Sequence, residues 1–203
     1  MTDKVLDLEN KEIAKQYKKL LKISYRTLSK EDKKLIRSAF DIAVDAHKEQ
    51  RRKSGEAYIF HPIAVAKIVA SEIGLDSTSI AAALLHDVVE DTYVTLSDVT
   101  DQFGSLVAEY VHFCSNVSEQ SDGNRKFRKK MDADHFAMGP AESQTIKVAD
   151  LIHNSETIIP HDPKFFHKAY KYEKQYLLDV LIKANPILKS HAQSMLDKTW
   201  DPS

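Results

Sequence analysis

Cysteine is almost missing from this chain: Cys114 is the only one in 203 residues, which excludes an internal disulfide framework and a cysteine-rich zinc site and suits a reducing compartment. Glycine (5) and proline (6) are also scarce, together less than half the usual ~12%, which argues against a fold built on many tight turns and for one built mostly of helix. No run approaches the ~18 apolar residues of a membrane span. The opening MTDKVLDLENKEIAKQYKKL has no apolar segment of the secretory kind, so a cytoplasmic protein with no membrane partner is expected. Net charge is lacking too, since 29 basic and 30 acidic residues leave −1, and this argues against a general nucleic-acid binder. What is present, 42% hydrophobic and 29% charged residues, suits one compact domain with a proper core.

The charge is unevenly spread. Residues 1–56 are net +5, residues 57–122 net −9 and residues 123–203 net +3. An acidic middle between basic flanks fits a cation holding an anionic substrate, and it equally fits solvated helix faces.

Helical periodicity runs along most of the chain. Residues 8–25 form an amphipathic opening helix, with Ile13, Tyr17, Leu20 and Leu21 at helical spacing. Tyr17, Leu20 and Tyr25 then pack on the domain or on a second subunit. Ser29, with Asp32 three residues on, caps a helix carrying Leu35, Ile36, Ala39, Phe40, Ala43, Val44 and His47 on one stripe. RRKSGEAYIF (51–60) is a basic loop, and Pro62 lies in the first turn of a helix that stops near Gly74. Asp76 or Ser77 caps STSIAAALLHDVVED, whose Ala-Ala-Ala-Leu-Leu run can be buried nearly all round. Thr95 caps a short helix to Phe103, and after Gly104 the helix resumes from Ser105 to Asn116. Later helices are expected over Arg125–Met138, Ala141–Ile158, Lys164–Asn185 and Ile187–Leu196, with Pro160 and Pro163 bracketing a turn. With no alternating run that demands a sheet, the expectation is a single all-α domain over residues 1–203, the helices of 164–197 packing on its core.

The dipeptide His-Asp is weak evidence, because 9 histidines and 18 aspartates make about one expected by chance and the chain has two. In His161-Asp162-Pro163, Asp162 reads as an N-cap. His86-Asp87 differs in its setting: it follows a wholly apolar stretch, and Glu90 and Asp91 lie one helical turn beyond each member. An imidazole and three acids on the flank of a buried helix need a cation to balance them, unless the helix end is exposed. Asp150, within TIKVADLIHN, faces the interior and needs a partner. His61, His86, Asp87 and Asp150 together form a nitrogen and oxygen set suited to Mn, Fe, Co or Zn. Spacing alone does not choose His61 over His47, or Asp150 over Asp134.

The stretches HKEQRRKSGEAYIFHPIAVAKIVA, AAALLHDVVEDT and TIKVADLIHN, in this order, resemble the hydrolase domain of the RelA/SpoT homologue family, in particular its small single-domain alarmone hydrolases. The resemblance covers about residues 35–160. It implies an all-helical HD-domain bundle and manganese-dependent removal of the 3′-pyrophosphate from guanosine tetra- and pentaphosphate, the nucleotides of the stringent response. It implies that His61, His86, Asp87 and Asp150 hold Mn(2+), or another divalent transition metal, and that Glu90 and Asp91 handle the attacking water. Arg52, Lys53 and Ser54 match the nucleotide-binding loop, Asn154 and Thr157 the nucleoside pocket, and His47 a supporting position. Two positions depart from the family: Leu151 stands where a basic residue is common, and Glu156 where many members have arginine. Both remove positive charge, leaving the base open between guanine and adenine. Arg125, Arg128 and Lys129, spaced i, i+3 and i+4, either clamp phosphates in compensation or form a solvated face. The partner implied is a small nucleotide, the chain being either a monomer or a homo-oligomer.

Overall fold

The computed structural model describes residues 3–24, 28–73 and 76–198, so Tyr25 and Gly74 lie outside the described residues. They are all-α, with no strand; the only β pairing among them is an isolated bridge between Arg51 and Ala57. The chain divides into two compact units, Met1–Val111 and His112–Ser203.

The first unit is organised around α4. Helix α1 spans Asp3–Ser24, α2 Lys30–Ala46, α3 Phe60–Ile73, α4 Ser77–Leu85, α5 Val88–Asp91, α6 Leu96–Phe103 and α7 Ser105–His112. Every residue from Ser79 to Leu85 is buried, and α4 packs against both α2 and α3. Three successive alanines let two neighbours approach the helix closely, which is why so short an element can form the centre. The expected capping box starts α2: the Ser29 hydroxyl accepts from Asp32 N at 3.0 Å, and the Asp32 carboxylate accepts from Ser29 N at 2.8 Å. Ser77 donates its hydroxyl to the same Asp32, tying the starts of α2 and α4 together. Helix α1 packs on α3, and Tyr17 stacks on Phe40 with centroids 4.1 Å apart, so this face is covered within the chain. Arg51 to Glu9 and Lys67 to Gln16 add polar ties.

In the second unit, α8 spans Arg125–Met138, α9 Ala141–His161, α10 Pro163–Phe165, α11 Lys171–Val180 and α12 Pro186–Leu196, with one π-helical turn over Phe166–Tyr170. Helix α9 is the spine: Ser143 to Ile152 are all buried, and α12 packs along it while α11 packs on α8. Its buried Gln144 donates to the carbonyls of Ala137 (2.9 Å) and Gly139 (3.0 Å) and accepts from Lys183 N (2.9 Å). One amide thereby satisfies the end of α8 and the turn before α12.

Four boundaries differ from those read from the sequence. Helix α7 stops at His112 and not Asn116, with Ser115 N turning back to the His112 carbonyl. Helix α9 runs through Pro160 to His161: proline has no N–H to donate one turn back, but Asp162 N donates to the Ile158 carbonyl at 2.8 Å and closes the final turn. The stretch expected as one helix to Asn185 ends at Val180, where Leu181 adopts ψ +63°. Pro186 opens α12 as its first residue, capped by Asn185, which accepts from Ile187 N and Leu188 N. Asp162 caps α10 as expected, accepting from Phe165 N at 3.0 Å.

Gly139 is required by close approach and not by its backbone angle. An added Cβ would lie 2.7 Å from Phe113 Cβ and 2.4 Å from Ser143 Oγ. Gly139→Ala should therefore lower the unfolding free energy by ~1–3 kcal/mol in urea titrations.

Candidate metal centre

His86 and Asp87 lie in the turn between α4 and α5, and not inside one continuous helix. The chain there stays near helical angles (His86 φ −59°, ψ −28°; Asp87 φ −104°, ψ −6°). The i+4 relation survives at Asp87, whose carbonyl accepts from Asp91 N at 2.9 Å. His61 comes from the first turn of α3.

These three side chains converge. Their ligand atoms lie within 4.8 Å of one another, and His61, His86 and Asp87 are 1%, 0% and 8% exposed. Asp87 Oδ2 is 3.0 Å from His86 Nε2 and 3.4 Å from His61 Nε2. His86 Nδ1 is 2.8 Å from the Ala83 carbonyl, an acceptor only, so Nδ1 carries a proton and Nε2 is the ring atom turned to the carboxylate. A buried imidazole nitrogen this close to a carboxylate oxygen has either a proton or a cation between the two. Two imidazole nitrogens and one carboxylate oxygen fit a divalent transition metal, the Nδ1 bond orienting the ring as it does in metal sites. Burial by itself raises Asp87, but His86 and His61 outweigh it and hold the carboxyl well below the ordinary range.

A buttress surrounds the cluster that spacing did not reveal. Tyr58 donates its hydroxyl to Asp87 Oδ2 (2.7 Å) and to Asp91 Oδ2 (3.1 Å). Gln50 donates to the Asp91 carbonyl at 2.6 Å and sits 2.7 Å from His47 Nδ1, while the His47 ring lies 4.7 Å from that of Tyr58. His47 is thus a support, as expected, and burial lowers its pKa. The available signal was Tyr58 within Y-I-x-H-P, but nothing in a sequence shows a hydroxyl bridging two acids thirty residues on. Asp91, exposed on one side, is raised by desolvation on the other and by the Asp87 charge. Glu90 is exposed on α5.

Arg52, Lys53 and Ser54 occupy the tip of the loop closed by the Arg51–Ala57 bridge. Gly55 N donates to the Arg52 carbonyl (2.8 Å), and its φ of +90° is open only to glycine at low cost. Lys53 and Ser54 are exposed, and Arg52 Nε lies 3.9 Å from Glu56.

The remaining candidates belong to the second unit. Asp150 is 6% exposed on α9, and its partners include Lys147 Nζ at 3.1 Å and Asn154 Nδ2 at 2.5 Å. Lys147, not singled out in the sequence, thus supplies a cation in a buried pair. Lys174 faces the same carboxylate electrostatically; burial of its ammonium lowers it to about 8. Thr157 donates to the His153 carbonyl at 3.4 Å. Leu151 is fully buried in the core and Glu156 exposed, so the two departures fall in different environments. Arg125 is held by both oxygens of Glu173 (2.7 and 2.8 Å) and Lys129 lies 3.4 Å from Asp132. Arg128 keeps a buried Nε with no hydrogen-bond partner among the described residues.

A family model described as the HD domain matches residues 39–168, well over half the chain. The chain belongs to the HD domain family. Over 133 residues it is 44% identical to the bifunctional (p)ppGpp synthase/hydrolase SpoT of Escherichia coli, a match covering 62% of this chain and 18% of that protein. A Vibrio cholerae guanosine-3′,5′-bis(diphosphate) 3′-pyrophosphohydrolase is 43% identical over 129 residues, covering 61% and 18%. The chain therefore spans less than a fifth of the length of these relatives. Among solved structures, a metazoan SpoT orthologue described as hydrolysing ppGpp superposes with a TM-score of 0.70 at 25% identity, covering 79% of this chain and 93% of that one. The HD-domain fold and the likeness to the RelA/SpoT hydrolases agree with the motifs quoted above, and no described helix of this HD protein is long and apolar enough to cross a membrane.

Proposed function

We propose that this HD protein is a manganese-dependent pyrophosphohydrolase of alarmone nucleotides. It would cleave the bond joining the ribose 3′-oxygen to pyrophosphate, giving a nucleoside 5′-di- or triphosphate and free pyrophosphate. The observation that carries this reading is the buried convergence of His61, His86 and Asp87, with the His86 proton committed to Ala83. The names of the relatives and of the metazoan neighbour support the choice of substrate.

In this reading the two units act as one HD-type domain, and Asp150 is the fourth ligand. The family match at residues 39–168, which runs through the boundary at 111/112, supports that. A bound divalent ion supplies a Lewis acid and lowers the pKa of water near it. Asp91 takes a proton from the attacking water, its carboxylate steadied by the Tyr58 hydroxyl; Glu90 is the alternative acceptor. Arg52, Lys53 and Arg128 offset phosphate charge, and Ser54, Asn154 and Thr157 contact the nucleoside. Arg125 and Lys129 join them only by exchanging Glu173 and Asp132 for phosphate oxygens. The reducing cytoplasm suits its one buried thiol, Cys114.

The test is pyrophosphate release by metal-stripped protein with manganese added back, against guanosine and adenosine 3′-pyrophosphate nucleotides beside GTP, ATP and dNTPs. Release only from the 3′-pyrophosphorylated substrates is expected, and the faster base reports what Leu151 and Glu156 do to base selection. Turnover of dNTPs alone would make it an HD phosphohydrolase of ordinary nucleotides; binding with no turnover would make it a regulatory module.

A further inference from the structure

A groove of about 620 Å3 opens in the second unit between α8 and the stretch running from the π-helical turn into α11. Four lysines line it, Lys126, Lys129, Lys130 and Lys168, against a single acid, Glu173. That acid is already neutralised by the two-pronged bond from Arg125. Lys129 and Lys130 have carboxylate partners, Asp132 at 3.4 Å and Asp134 at 2.6 Å. Lys126 and Lys168 have no carboxylate within ion-pair distance among the described residues, so the lining carries an uncompensated double positive charge.

The groove also offers flat apolar surface. Phe127 is 53% and Tyr172 67% exposed, both in its lining. Tyr176 forms a fixed wall, donating its hydroxyl to Asp134 at 2.6 Å with Lys130 Nζ 5.1 Å from its ring centroid. Exposed rings beside lysines without carboxylate partners, in a concavity large enough for a small ligand, match a molecule with one planar apolar part and one polyanionic part. A free phosphate would leave the rings uncovered, and an apolar ligand would leave the lysines unanswered.

We infer that this groove is a second nucleotide site, binding a nucleoside polyphosphate with its base on Phe127 or Tyr172 and its phosphates on Lys126 and Lys168. The inference does not depend on hydrolysis at the metal centre.

Calorimetric titration of the full chain tests it, with GTP as the probe. Wild-type protein should show two classes of site. Lys126→Glu/Lys168→Glu should weaken one of them at least ~10-fold, while Asn154→Ala should affect only the other. Tyr172→Ala, which leaves the charge unchanged, should weaken the groove site ~10-fold through lost stacking, separating a built site from a diffuse positive field. The double variant should keep its KM for the hydrolysed nucleotide. Unchanged GTP binding in the double variant would overturn the inference, and so would a single class of site in the wild type that Asn154→Ala weakens and the double variant does not; a single class weakened only by the double variant would uphold the groove and count against nucleotide binding at the metal centre. A KM that rises in step with the lost affinity would also overturn the inference, since the groove would then be part of the substrate site.

Discussion

Asp87→Ala should remove bound metal and reduce turnover at least ~1,000-fold, a barrier increase of about 4 kcal/mol. Asp87 Oδ2 is the atom that both imidazole Nε2 atoms approach, at 3.0 and 3.4 Å. Without it the cluster keeps two imidazoles and loses its carboxylate, leaving a poor site for a hard or borderline divalent ion. Metal content after dialysis against manganese, measured beside turnover, checks both halves. Tyr58 loses one of its two acceptors in this variant, so its melting temperature should be compared in metal-free buffer before the loss is assigned to ligation. Intact turnover would sink the metal assignment.

Asp91→Asn should retain metal and lose ~100- to 10,000-fold in kcat, the range typical of a missing general base. Glu90→Gln is the matched comparison, also retaining metal, and whichever variant loses more rate identifies the acceptor. The geometry favours Asp91, which shares the Tyr58 hydroxyl with Asp87. The pH dependence follows from the same contacts. A base works deprotonated, so the rate should rise with pH through its pKa, and Asp91 is raised from its ordinary value by desolvation and by Asp87. The acid limb of kcat/KM should therefore lie at higher pH than an ordinary aspartate would give and flatten in Asp91→Asn. Tyr58→Phe removes a hydrogen bond that lowers Asp91 and should move the limb to higher pH while metal stays bound. A limb that does not move would reassign Tyr58 to packing alone.

Glycine at position 55 and the Arg52–Ser54 tip show how far local chemistry carries: a loop was expected there, and a turn with φ +90° at Gly55 is what forms. The capping pairs Ser29/Asp32 and Thr95/Asp98 and the cap at Asp162 are likewise local, because each satisfies backbone donors within three residues. The buried Ala81–Leu85 run was also legible, since a stretch apolar on every side has no face to give to water.

Tertiary structure decided what spacing left open. His61 rather than His47 approaches Asp87, because α3 brings its first turn to the α4–α5 turn while the His47 Nδ1 is engaged by Gln50. Asp150 was expected to need a partner, and Lys147, one helical turn back, provides a cation. Arg125 and Arg128 look alike in sequence, yet one is committed to Glu173 and the other keeps a buried Nε without a hydrogen-bond partner among the described residues. By itself, then, the sequence determined most of the helices, their caps and the buried centre, all properties of side chains within a few turns of one another. Which imidazole meets which carboxylate was decided only by the packed helices. That choice depends on distances between segments far apart in the chain, and on which hydrogen bonds have already claimed each polar atom.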